Sequence, residues 1–238
     1  MTAARRFLLS LAVLLVAGVG AASAAACGGG PYLYAGRAGA SRVAGVGASI
    51  TPAPSAFAVR VGHVAGWVGV GGPGQGPNGT DEWIQVGFSA FPSWEGNDLY
   101  FEVARPGRPP RYSRLRANVA SGQQARVAVL EMRNRRDWWR VWLDGSPASA
   151  PIHLPQSTGR WRPVVTAESW DAGQSVCNDF GYRFDRLRVA HRPGGRWSPL
   201  GPTTPIDSTA TLLVRHFGGS FVAAGGPLAR QMFAVTTG

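Results

Sequence analysis

Glycine and proline punctuate this chain so densely that long helices have no room between them. There are 33 Gly and 18 Pro in 238 residues, and the runs they leave are short. Many of those runs alternate with a period of two, the mark of a strand with two different faces. Residues 83–89 alternate most cleanly. Trp83, Gln85, Gly87 and Ser89 point one way, while Glu82, Ile84, Val86 and Phe88 point the other. Further strands are predicted at 42–50, 57–61, 64–70, 99–104, 125–132, 138–143, 162–170, 182–189, 211–215 and 232–236. Residues 71–79 read as a loop, and beyond residue 26 no stretch shows a 3.6-residue period or an internal repeat. This pattern predicts an all-β chain folded as a two-sheet antiparallel sandwich.

The first 26 residues stand apart. Arg5 and Arg6 precede an apolar run over 7–19, and small residues follow it to Ala26. That is the layout of a secretory signal peptide, too short to remain as a membrane anchor. No other run approaches membrane length, so the expectation is a secreted protein with no transmembrane segment. Removal of the signal leaves 238 − 26 = 212 residues, enough for one domain with a sizeable core. We expect a Gly-rich N-terminal segment over 27–40, then a single domain over 41–238, folded as a monomer. Two cysteines remain, Cys27 and Cys177. In an oxidising compartment they would form one disulfide. The alternative makes Cys27 a lipid-modified first residue, but Ala24 stands where such signals carry leucine, which favours the disulfide.

The formal charge is +11, and every basic residue is arginine. The arginines are spread along the chain and dense only over 133–140, so no specific nucleic-acid partner is expected. Several chemistries are excluded by their missing parts. The four histidines are isolated from one another, which argues against zinc. No serine sits in a nucleophile elbow. Gly69, Gly71 and Gly74 match a dinucleotide-binding spacing, but no helix follows them. Carboxylates are left. Glu95 lies in a loop, Glu82 opens a strand, and Glu131 reads as a solvated charge near arginines. Glu102 and Glu168 differ, because each lies inside a strand beside aromatics, where a raised pKa suits a general acid or base. Gln85 is the other unusual residue. An amide in mid-strand beside Trp83 costs free energy in a dry core but suits the floor of a wet groove.

Four motifs occur in order along the chain. They are Trp67-Val68-Gly69-Val70, Ile84-Gln85-Val86-Gly87, Tyr100-Phe101-Glu102-Val103 and Ala167-Glu168-Ser169-Trp170. Val43-Ala44-Gly45 and Thr51-Pro52-Ala53-Pro54 precede them, and 180–189 follows. Together they resemble the glutamic peptidases, the eqolisin family, over roughly the whole chain after the signal. The family's counterparts are Trp-Val-Gly-Ile, Leu-Gln-Thr-Gly, Trp-Tyr-Glu-Trp and Ala-Glu-Trp, the last with one residue inserted here. The resemblance implies a concanavalin A-like sandwich of jelly-roll type that hydrolyses polypeptides without cofactor or metal. Gln85 and Glu168 would be the catalytic dyad. Glu168 would take a proton from the attacking water, and Gln85 would hold that water and the oxyanion. Trp67, Trp83, Tyr100, Glu102 and Trp170 would line the substrate groove. Two other readings remain open on the same scaffold. A non-catalytic carbohydrate- or cell-wall-binding module would stack glycan rings on Trp83, Trp94, Trp138 and Trp139. A polysaccharide hydrolase would need Glu102 and Glu168 facing each other.

Overall fold

The computed structural model describes residues 32–53, 58–93, 96–174, 177–207 and 212–226. The first strands are β1 (Leu33–Gly39), β2 (Gly45–Pro52), β3 (His63–Gly72), β4 (Glu82–Ala90), β5 (Asn97–Arg105) and β6 (Arg108–Val119). Next come β7 (Ala125–Glu131), β8 (Trp138–Leu143), β9 (Ser146–Pro147), β10 (Ile152–His153) and β11 (Pro163–Trp170). The chain continues through β12 (Phe180–Ala190), β13 (Trp197–Pro199), β14 (Thr203–Asp207), β15 (Leu212–Phe217) and β16 (Ser220–Gly225). They form two antiparallel sheets. The first has the order β14-β1-β11-β3-β4-β5-β6, the second β10-β8-β7-β2-β12-β16-β15, with β9 paired to β8 and β13 to β12. The expected all-β sandwich is what the chain forms.

Alternation builds the core between the sheets. Val68, Ile84, Val86 and Phe88 of the first sheet face Val46, Ile50, Val129 and Phe184 of the second, all buried. Gly66 accepts the ring of Tyr182 from the opposite sheet, because a Cβ at this glycine would lie 2.4 Å from that ring. The Tyr182 hydroxyl then donates to Asn97 Oδ1 at 3.2 Å, so the polar end of this fully buried tyrosine is satisfied.

Three expectations change. Residues 33–39, read as part of an irregular Gly-rich segment, form β1, wedged between β11 and β14. Glycine signalled irregularity, yet here it permits close pairing: a Cβ on Gly36 would sit 2.2 Å from the Val165 carbonyl oxygen. The strand expected at 57–61 reduces, among its described residues, to a single bridge between Ala58 and Asp179. Glu131 is not a solvated charge. It is buried, and its Oε1 accepts the Thr158 hydroxyl and the Asp137 backbone N–H. The arginine-rich β6 and the short β9, β10, β13 and β14 carry too weak an apolar pattern to be foreseen, and β16, with Phe221, Val222, Ala223 and Ala224 buried, is not expected either. The signal segment 1–26 and the strand expected at 232–236 lie outside the described residues. Among the described residues, no helix is long and apolar enough to cross a membrane.

Glu82 is the exceptional core carboxyl. It is 1% exposed, and neither of its oxygens has a hydrogen-bond partner. Burial, and then the nearby charge of Asp137, push its pKa up to about 7. A folded pKa above the unfolded one means the folded state binds more protons between the two values. The stabilising effect is full below the unfolded pKa and is lost as pH rises towards about 7. Urea unfolding of wild type and Glu82→Gln across this range should show the difference. Wild type is expected to lose up to about 1.4 kcal/mol per pH unit relative to the variant.

Candidate active site

Register gathers one set of side chains on the outward face of the first sheet. A central row runs Gly36, Thr166, Trp67, Gly87, Tyr100, Arg114 across β1, β11, β3, β4, β5 and β6. On one side lies the row Tyr34, Glu168, Ala65, Ser89, Asp98. On the other lies Gly69, Gln85, Glu102, Tyr112. Glu168 and Gln85 therefore flank the central row from opposite sides. Trp67 lies between them in that row, and Gly87 beside it presents no side chain.

The polar groups here are nearly dry, so each must find a partner. Glu168 is 6% exposed and Gln85 7%. The indole of Trp67 donates to Glu168 Oε2 at 2.9 Å, and His63 Nε2 lies 2.9 Å from Glu168 Oε1. Gln85 Nε2 donates to the Tyr100 hydroxyl at 3.1 Å. Trp83 donates to Glu102 Oε1 at 3.2 Å, and the hydroxyls of Ser89 and Tyr112 are 2.9 Å apart. Tyr100 and Tyr112 stack with ring centres 4.9 Å apart. At the far end Trp170 stacks on Tyr32 and tilts against His63.

Electrostatics separates the two carboxyls. Glu102 is pushed above the ordinary glutamate range, first by burial and then by the charge of Glu168, with Trp83 and His63 opposing the shift. Burial also drives Tyr100 well above the ordinary tyrosine value, so its hydroxyl stays protonated. One carboxyl is thus biased towards its neutral form beside a second that is held by two ring nitrogens.

Every residue expected in the groove, Trp67, Trp83, Gln85, Tyr100, Glu102, Glu168 and Trp170, lies on this face. Of the candidate sugar-stacking residues only Trp83 lies there, and the other three do not join it among the described residues. Trp139 is a fully buried core residue, Trp138 lies under Arg135 on the second sheet, and Trp94 is outside the described residues. Cys177 is disulfide-bonded, while Cys27 lies outside the described residues. Sequence reasoning missed His63. Carrying the alternation back from Trp67 through Ala65 would have put it on this face, but nothing local ties it to a glutamate 105 positions away. Among the described residues, no group of three His, Cys, Asp or Glu could hold a metal ion.

No protein-family model matches this sequence, and no curated protein matches it. Solved structures do. A crystal structure of Scytalido-glutamic peptidase with a peptide-based transition state analog superposes with a TM-score of 0.58 at 16% identity. The match covers 82% of this chain and 98% of that one. SCP-B, a member of the eqolisin family of peptidases in complex with the tripeptide Ala-Ile-His, gives 0.52 at 16% identity, again over 82% and 98%. The chain has the glutamic peptidase fold.

The close approach of β3 and β4 at Gly87 can be tested. A Cβ on Gly87 would fall 2.0 Å from the Gly66 carbonyl oxygen and 2.6 Å from Trp67 Cα, so β3 and β4 would have to part. Gly87→Ala should therefore cost about 2 kcal/mol or more in urea unfolding, as overpacking does. Gly107→Ala, at φ +66 with nothing within 4 Å of the added carbon, should cost only about 1 kcal/mol.

Proposed function

We propose that this chain is an exported endopeptidase of the glutamic type, cleaving peptide bonds with a water activated by Glu168. The observation that carries the reading is the carboxylate of Glu168, held by the rings of Trp67 and His63 on the outward face, across one row from the amide of Gln85. Glu168 takes a proton from the water as its oxygen attacks the scissile carbonyl carbon. Gln85 has two amide hydrogens. One is committed to Tyr100, and the other donates to the tetrahedral oxyanion. Glu168 then returns the proton to the leaving nitrogen as the C–N bond breaks. Glu102, whose pKa is raised, holds its proton to a higher pH than an ordinary glutamate and limits negative charge in the groove. Trp67, Trp83, Tyr100 and Trp170 form the walls against which a polypeptide lies. The peptide-like ligands named for the solved glutamic peptidases support a peptidic substrate. The disulfide at Cys177 supports pairing with Cys27, the other of the two cysteines, over a lipid anchor there.

The test is cleavage of a denatured protein by the chain lacking residues 1–26, scanned from acidic to neutral pH. Glu168→Gln and Gln85→Ala should each lower kcat by about a hundredfold or more, the scale of a lost general base or oxyanion donor. Tyr100→Phe leaves the Gln85 amide without its anchor and should cost about tenfold in kcat with KM little changed. Full activity in Glu168→Gln would sink the reading. A folded wild type that cleaves nothing at any pH would turn the groove into a binding site, to be screened with glycans.

A further inference from the structure

We propose a second binding site, for an acidic polysaccharide, on the outward face of the second sheet. A groove of about 700 Å³ runs there. Its floor is small: Gly47 pairs with Ala128, and Ser49 lies beside them. One wall carries Arg126, Arg140 and Trp142 from β7 and β8. The other carries Arg186, Arg188 and Trp197 from β12 and β13, and Arg133 closes an end. A single row, Trp142, Ala128, Gly47, Arg188, crosses from wall to wall.

Among the described residues, none of these arginines enters an ion pair. The acid that lines the groove, Glu131, already spends one oxygen on Thr158 and Asp137. Arg140 Nε and Trp142 Nε1, two positions apart on one wall, are buried donors without partners. Buried donors of this kind call for acceptor oxygens arriving from outside.

The backbone is bent to supply this wall. Register shifts between Asp185 and Arg188, and Arg186 takes the left-handed conformation at φ +51. The extra residue of the bulge lets Arg186 and Arg188 both line the groove while Leu187 stays in the core. Guanidinium forks on both sides match carboxylates, and the half-buried indoles offer apolar surface to pyranose rings. The two indoles lie on opposite walls rather than in succession along one, and no side-chain amide is present to read a base edge. A uronate-bearing glycan fits this arrangement better than a nucleic acid. The site is independent of the chemistry at Glu168.

Binding of the full chain to immobilised polygalacturonate, dextran and oligothymidylate tests the proposal at about 0.05 M and about 0.5 M salt. Polygalacturonate should bind and dextran should not. Arg140→Gln/Arg188→Gln should weaken binding by about tenfold or more, given charge-assisted forks. The charge-matched control Arg111→Gln/Arg116→Gln on β6 should stay near wild type, and proteolysis should be unchanged in both. If the first pair fails to fold, the exposed pair Arg126→Gln/Arg186→Gln replaces it. Equal weakening by the control, equal binding of oligothymidylate, or no polygalacturonate binding would each overturn the site.

Discussion

Four hydrogen bonds between strands, three joining neighbours and one reaching from β4 across β5 to β6, hold the outward face of the first sheet, and each joins an aromatic side chain to a polar one. Trp67 serves Glu168, Trp83 serves Glu102, Tyr100 serves Gln85, and Tyr112 serves Ser89. The physical demand behind them is simple. A carboxylate or amide covered by rings loses its water and must be repaid in hydrogen bonds of good geometry. Tryptophan and tyrosine meet both needs at once, because each brings apolar cover and one directed N–H or O–H. Remove these pairs, and the face could be neither dry nor polar.

This pairing explains which parts could be read in advance. The strands with clean alternation, β4 and β8 above all, appear where the pattern puts them, because two unlike faces force a period of two. Gln85 was conspicuous for the same reason, as an amide on a face that also carried Trp83. What escaped has its cause outside the local chain. β1 looked irregular because its glycines answer to the backbone of β11 rather than to their own neighbours. β6 is an exposed strand dense in arginine and shows little apolar rhythm. His63 meets Glu168 through the pairing of β3 with β11, which no spacing in the sequence announces.

The same blindness applied to charge. Arginines at 126, 133, 140, 186 and 188 look dispersed along the chain. The order β8-β7-β2-β12 folds them around one trench, because two strands that follow one another and two distant ones become neighbours. The two sheets therefore carry different arrangements outward: carboxyls shielded by rings on the first, beside the arginine-rich edge strand β6, and a trench of guanidiniums on the second. Between them lies the apolar core, and Tyr182, seated at Gly66 and bonded to Asn97, fixes how they face.

The position of β1 has a consequence for how the molecule comes into being. This strand belongs to the earliest part of the described chain, yet its two neighbours are β11 and β14, so Tyr34 waits for Glu168 and Ala35 for Asp207. Contacts this far apart in sequence close late and slowly. A chain still being synthesised, or one clipped before residue 203, cannot complete the edge of the sheet that carries Glu168. The face that carries Glu168 is thus completed only when nearly the whole polypeptide is available.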